Sequence, residues 1–176
     1  DVWLTISKEG QASAWYGAHG ASGTLNGNVF LRFTDAATGG STVFGAVNAA
    51  GVTGNVYLEF SAENASFGTS SNSSSVVGSY ATDIQGNVDI VVNSGTFNHQ
   101  IMGGIFANAR IGTTTIGGNT HVYINGGSVT GNVMGGGLTG SISGGANVPV
   151  SGGVISGSVY GAGQGGSILA GSSVCL

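Results

Sequence analysis

Two stretches of the chain, GNVFLRF at 27–33 and GNVYLEF at 54–60, are the same seven-residue phrase written 27 positions apart. A phrase repeated at fixed spacing means that one structural unit is built again and again, so repetition is read before any single element. The phrase recurs as DVWLTIS at 1–7, NVFLRFT at 28–34, NVYLEFS at 55–61 and NVDIVVN at 87–93, then more loosely as NTHVYIN at 119–125 and GANVPVS at 145–151. A second phrase follows each copy: two apolar residues, Gly, then a small residue. Its members are WYGA at 15–18, VFGA at 43–46, VVGS at 76–79, IMGG at 101–104, VMGG at 133–136 and VYGA at 159–162. A third signal is one aliphatic residue four positions before the next copy's first apolar position: Leu25, Val52, Ile84, Ile116, Ile142 and Ile168.

The chain therefore reads as a single domain over 1–176, with copies starting near 1, 28, 55, 87, 119 and 145. Apolar residues alternate with a period of 2, and Gly every few residues costs a helix about 1 kcal/mol each, so the copies are strands. A strand repeat of this length predicts an all-β fold, a parallel β-helix (β-solenoid) of about six turns with three short strands each, triangular in section. The crossover rule predicts right-handed coiling. With ~4.8 Å between rungs, six turns make a column ~29 Å tall.

Stacking the first phrases gives each column a role. Val2, Val29, Val56, Val88, Thr120 and Ala146 form one inward file, with two more at the alternate positions beyond it. The columns between them face out: Trp3, Phe30, Tyr57, Asp89, His121 and Asn147, then Thr5, Arg32, Glu59, Val91, Tyr123 and Pro149. Arg32 is expected beside Glu59, where opposite charges on adjacent strands attract. Pro149 lacks an N–H, which predicts a weakened ladder at the sixth turn. Ahead of the first inward file stand Asp1, Asn28, Asn55, Asn87, Asn119 and Gly145. The four asparagines predict an amide ladder in which each side chain donates to one neighbour and accepts from the other. Two longer excursions, 62–75 and 106–115, are expected as surface loops, whose Ser/Thr-rich tips are possible glycan acceptors.

Composition narrows the function classes. The net charge is −4 with only three basic residues, Lys8, Arg32 and Arg110, so there is no footprint for nucleic acid or an anionic membrane surface. No apolar run is long enough for a spanning helix. The chain opens on DVWLTIS, which reads as the inside of a structure and predicts that the natural N-terminus lies elsewhere. Cys175 is the single cysteine, expected as a small buried apolar residue. No cofactor or metal site is expected, since no ligand-spaced cluster exists.

The search for catalytic residues is negative. Glu59 and Asp89 are the one plausible carboxylate pair for sugar hydrolysis, and Glu59 already has Arg32 beside it. His19, His99 and His121 fall on different turns, and no nucleophile motif is present. The strongest feature outside the core is the aromatic file Trp3, Phe30 and Tyr57, expected as a flat apolar strip that stacks sugars or docks a partner, with Arg32, Glu59 and His121 alongside. Tyr16, Phe44, Met102, Met134 and Tyr160 are expected as a second outward apolar file.

The strings GSVTGNVMGGG (127–137) and GVISGSVYGAG (153–163) resemble the Gly-rich β-helical repeats of large bacterial surface proteins, autotransporter passengers and filamentous-haemagglutinin-like adhesins. The resemblance is closest over turns four to six. It implies a secreted or cell-surface stalk, adhesin or matrix component, and carries no catalytic residues with it. The expected function is a non-enzymatic structural or adhesive solenoid, a stalk segment or head-to-tail filament subunit, since uncapped ends predict continuation or self-association. Its other possible partner is a glycan or host-surface receptor. The alternative is a carbohydrate-active or carbohydrate-binding β-helix. An ice-binding or phage-fibre solenoid fits less well, because the file Ser7, Thr34, Ser61, Asn93, Asn125, Ser151 is too mixed for a regular array.

Overall fold

A computed structural model describes residues 1–7, 12–20, 23–35, 38–39, 42–48, 51–69, 74–106 and 114–176. The expected loop over 106–115 lies largely outside these residues, as do Lys8, Glu9 and Arg110. The described chain is all-β, with every named pair of strands parallel, as a β-solenoid requires. The first phrases pair in sequence order as a seven-stranded sheet: Val2–Ile6, Val29–Phe33, Val56–Phe60, Val88–Val92, Thr120–Ile124, Ala146–Pro149 and Ser172–Cys175. Val29 sits on Val56, Leu31 on Leu58 and Phe33 on Phe60, so identical side chains form continuous files. Leu31, Phe33, Val56, Leu58, Phe60 and Ile90 have no accessible surface.

The second phrases form a six-stranded sheet from Trp15–His19 to Val159–Tyr160. The lone aliphatics also stack on one another, through the pairs Leu25–Val52, Val52–Ile84, Ile84–Ile116, Ile116–Ile142 and Ile142–Ile168. A fourth face, absent from the expected three, lies between the first two. It is a five-stranded sheet of two-residue strands: Thr38–Gly39, Ser66–Phe67, Thr96–Phe97, Ser128–Val129 and Val154–Ile155. Two residues cannot display a period, so these strands read as turn. One of them, Ser66–Phe67, lies inside the stretch 62–75 expected to be a loop. Residues 70–73 of that stretch lie outside the described residues.

The fourth face completes the core. Phe33 stacks on Phe60 at 5.2 Å and Phe67 on Phe97 at 5.2 Å, and the two stacks meet edge-on, Phe60 to Phe67 at 4.9 Å. Edge-to-face contact sets the positive rim of one ring against the negative face of another. The glycine of each second phrase has a steric cause. A Cβ on Gly45 would stand 2.5 Å from Val56 Cγ1, and one on Gly17 would stand 2.5 Å from Val29 Cγ1. The second sheet thus closes directly onto the first sheet's leading valines. Thr120 enters that valine file because its hydroxyl donates to the Gly135 carbonyl at 2.7 Å.

The Asn28, Asn55, Asn87, Asn119 file is bonded differently from the expected amide ladder. Each side-chain Oδ1 accepts the backbone N–H of the next turn: Asn55 to Asn28, Asn87 to Asn55, Asn119 to Asn87 and Gly145 to Asn119, all at 2.8 Å. Asp1 Oδ1 does the same for Asn28. Only an acceptor is needed, which is why Asp opens the file and Gly can close it. Gly precedes each Asn because the Oδ1 from the turn below fills the space a Cβ would take, at 2.5 Å for Gly54. Bonding between side chains occurs once in this file, from Asn28 Nδ2 to Asp1 Oδ1 at 3.0 Å, and runs along the mixed file: Asn93 donates to Ser61, Asn125 to Asn93, and Ser151 to Asn125, at 2.9–3.0 Å.

Two more expectations change, and one holds. Met102 and Met134 point away from the main core but are fully buried, in a second cluster with Val77 against which Phe44, Phe106 and Leu138 pack. The chain covers the middle of that outward file itself, and Tyr16 and Tyr160 remain exposed. Cys175 is exposed: it pairs with Pro149 on an outward column, in a last strand whose four residues are all exposed. The ladder into the sixth turn does break near Pro149: register holds at Thr120–Ala146 and His121–Asn147 and returns only as an Ile124–Val150 bridge.

Candidate functional site

The outward columns of the first sheet place the candidate residues by strand register alone. Trp3 pairs with Phe30 and Phe30 with Tyr57, then Tyr57 with Asp89 and Asp89 with His121. Beside them Arg32 pairs with Glu59, Glu59 with Val91, and Val91 with Tyr123. The first three turns therefore bring Trp3, Phe30, Tyr57, Arg32 and Glu59 together, and these five line a shallow cleft of about 260 Å³. His121 lies two turns further along, outside that lining.

The aromatic strip is not flat. Trp3 and Phe30 lie face to face at 3.8 Å and 12°, so each hides one face against the other. Phe30 and Tyr57 are 6.3 Å apart and tilted by 48°. In-register stacking along the column turns Trp3 and Phe30 toward one another, and the tilt at Tyr57 breaks that stack. Trp3 is 67% exposed.

The charged pair on the rim is tightly built. Arg32 Nε donates to Glu59 Oε2 at 2.8 Å and Nη2 donates to Oε1 at 3.1 Å, the two-pronged geometry that suits a guanidinium and a carboxylate. Glu59 also accepts from the Tyr57 hydroxyl at 3.3 Å and from Ser61 at 3.0 Å. The hydrogen bond from Arg32 holds the Glu59 carboxyl below the usual carboxylate range, and Glu59 in turn raises Arg32. Burial, then the Glu59 charge, pushes the Tyr57 phenol up.

A second pair extends the same face. His121 Nδ1 lies 2.8 Å from Asp89 Oδ1, and the imidazole stacks on Tyr123 at 5.7 Å and 27°. Burial and then the nearby Asp89 charge raise the Tyr123 phenol. The pairing of Asp89 with His121 was available from the column order, in which they are adjacent. His19 stands apart on the second sheet beside Tyr16, and His99 lies in the turn before Ile101.

Chemically the face offers aromatic surface, one guanidinium and two occupied carboxylates. Glu59 and Asp89 each have a partner, and a general acid in sugar hydrolysis needs a raised carboxyl, the opposite of Glu59. Among the described residues no group of three His, Cys, Asp or Glu could hold a metal ion. No helix of the described chain is long and apolar enough to cross a membrane. No protein-family model matches the chain, nor does any curated protein or solved structure.

Proposed function

We propose that the chain is a non-enzymatic structural and adhesive β-solenoid of an extracellular surface, which meets its partner on the outer face of the first sheet. The observation that carries this reading is the cleft of Trp3, Phe30, Tyr57, Arg32 and Glu59, held on five-residue strands in unbroken register. Aromatic and Arg side chains are the residues that most often carry binding energy at protein surfaces. A rigid sheet holds them in place before any partner arrives, which lowers the entropy cost of association. The commitment of Glu59 to Arg32 and of Asp89 to His121 favours a binding role over acid–base chemistry.

The test is retention of beads coated with the chain on a mucin-coated surface under flow. Wild-type beads are expected to outlast bare beads, with retention falling at least fivefold for the Trp3→Ala, Tyr57→Ala double variant. Wild-type beads that wash off as fast as bare ones would overturn the reading. A soluble chain that elutes as a concentration-dependent oligomer, with the double variant monomeric, would instead assign the face to a second copy.

A further inference from the structure

The hydrogen-bonding inventory of the cleft narrows what can occupy it, given the adhesive reading above. Its walls are the rings of Trp3, Phe30 and Tyr57. Its carboxylate acceptors are taken: both Glu59 oxygens are bonded, by Arg32, Tyr57 and Ser61. The Tyr57 proton is committed to Glu59. Arg32 uses Nε and Nη2 on that carboxylate, and its side chain is 45% exposed. A guanidinium has five N–H groups, so both protons of Nη1 and one of Nη2 have no acceptor among the described residues. The rim therefore donates through Arg32 and can still accept at the Tyr57 hydroxyl oxygen, a pairing that suits a sugar hydroxyl.

Charge decides between acceptor-bearing ligands. The Arg32–Glu59 pair is neutral as a unit, and Asp89 stands on the next strand beside Tyr57. An anion would meet no net positive charge and one nearby carboxylate. The size of the cleft, about 260 Å³, is below the ~300–1,000 Å³ of sites for drug-sized ligands and admits a ring or two. A helix ~10–12 Å across would not enter it.

We propose that the cleft binds a neutral saccharide. A pyranose ring lies with its C–H face against the ring of Tyr57, which is tilted out of the stack, where partly positive C–H groups meet the negative face of a ring. A hydroxyl oxygen of the same sugar accepts from Arg32 Nη1.

The test uses saturation-transfer NMR on the whole chain with three neutral probes, cellotetraose, β-1,4-galactotetraose and β-1,4-mannotetraose, against trigalacturonic acid. At least one neutral probe is expected to bind through its ring C–H protons, and the acidic probe at least tenfold more weakly. Tyr57→Leu, which keeps bulk and loses the ring, is expected to weaken binding tenfold or more. Tyr57→Phe keeps the ring and is expected to retain binding, and Arg32→Lys to lose threefold or more. No signal from any neutral probe, a signal from trigalacturonic acid alone, or undiminished binding by Tyr57→Leu would each overturn the proposal. Periodate treatment of the mucin surface separates the two readings. Beads that still adhere after it have a protein partner, which sinks the saccharide and leaves the adhesive function standing. Beads that never adhered sink the adhesive function itself.

Discussion

Asn55 Oδ1 accepts the backbone N–H of Asn87, 32 residues later and one turn along, at 2.8 Å. The same Asn87 offers its carbonyl to the N–H of Val56 at 2.8 Å. Both main-chain groups of the corner residue are thus satisfied by the preceding turn, and its side chain is left to serve the following one. Without the Oδ1, a strand would begin with an unpaired donor at every turn.

Since the bond needs only an acceptor, Asn87→Asp is expected to change stability little, as Asp1 already fills the role for Asn28. Asn87→Ala removes the acceptor for the half-buried N–H of Asn119 and is expected to cost about 1 kcal/mol. Urea denaturation of the two variants checks this. Equal losses would mean that the Nδ2 group matters as much as the oxygen.

The glycine file makes a sharper contrast. Gly45→Ala drives a Cβ into Val56, with the Gly78 carbonyl also in its way, and backbone cannot step aside as a side chain can. A loss of at least about 1–3 kcal/mol is expected. Gly20→Ala, with nothing within 4 Å of the added carbon, is expected to be nearly neutral. Comparing the two melting temperatures is the measurement.

The Arg32–Glu59 pair predicts a pH signature. The folded Glu59 carboxyl is held below its ordinary range by Arg32, so its contribution is complete above the unfolded value of about 4.3 and fades as pH falls through the lower folded value. Wild type is therefore expected to exceed Glu59→Gln in stability at neutral pH by a small margin, since Arg32 is solvent-exposed. The two melting curves should converge in acid. A gap that persists at pH 2 would trace the effect to packing rather than charge.

Much of the fold was legible because a parallel solenoid repeats its side-chain columns. Val29, Leu31 and Phe33 recur as Val56, Leu58 and Phe60, and register alone puts Arg32 beside Glu59. The fourth face was not legible, because Ser66–Phe67 and Thr96–Phe97 are two residues long and sit among glycines. The burial of Met102 and Met134 was hidden for another reason. Alternation reports which side of a strand a residue takes, and says nothing of chain that returns to cover that side, as Phe106 and Leu138 do. At the candidate site the columns brought the right residues together. They could not give ring orientation, which depends on how Trp3, Phe30 and Tyr57 settle against one another.

The second apolar cluster, of Val77, Met102 and Met134, means that the middle of one sheet has an interior on both of its sides. A column with equivalent sides could be approached from any direction around its axis. Here one side is already upholstered by the chain's own return, while the aromatic and charged residues of the first sheet stay bare. Of the column's four faces, the second thus has its middle closed to a partner, while the first still carries the aromatic and charged residues of the cleft.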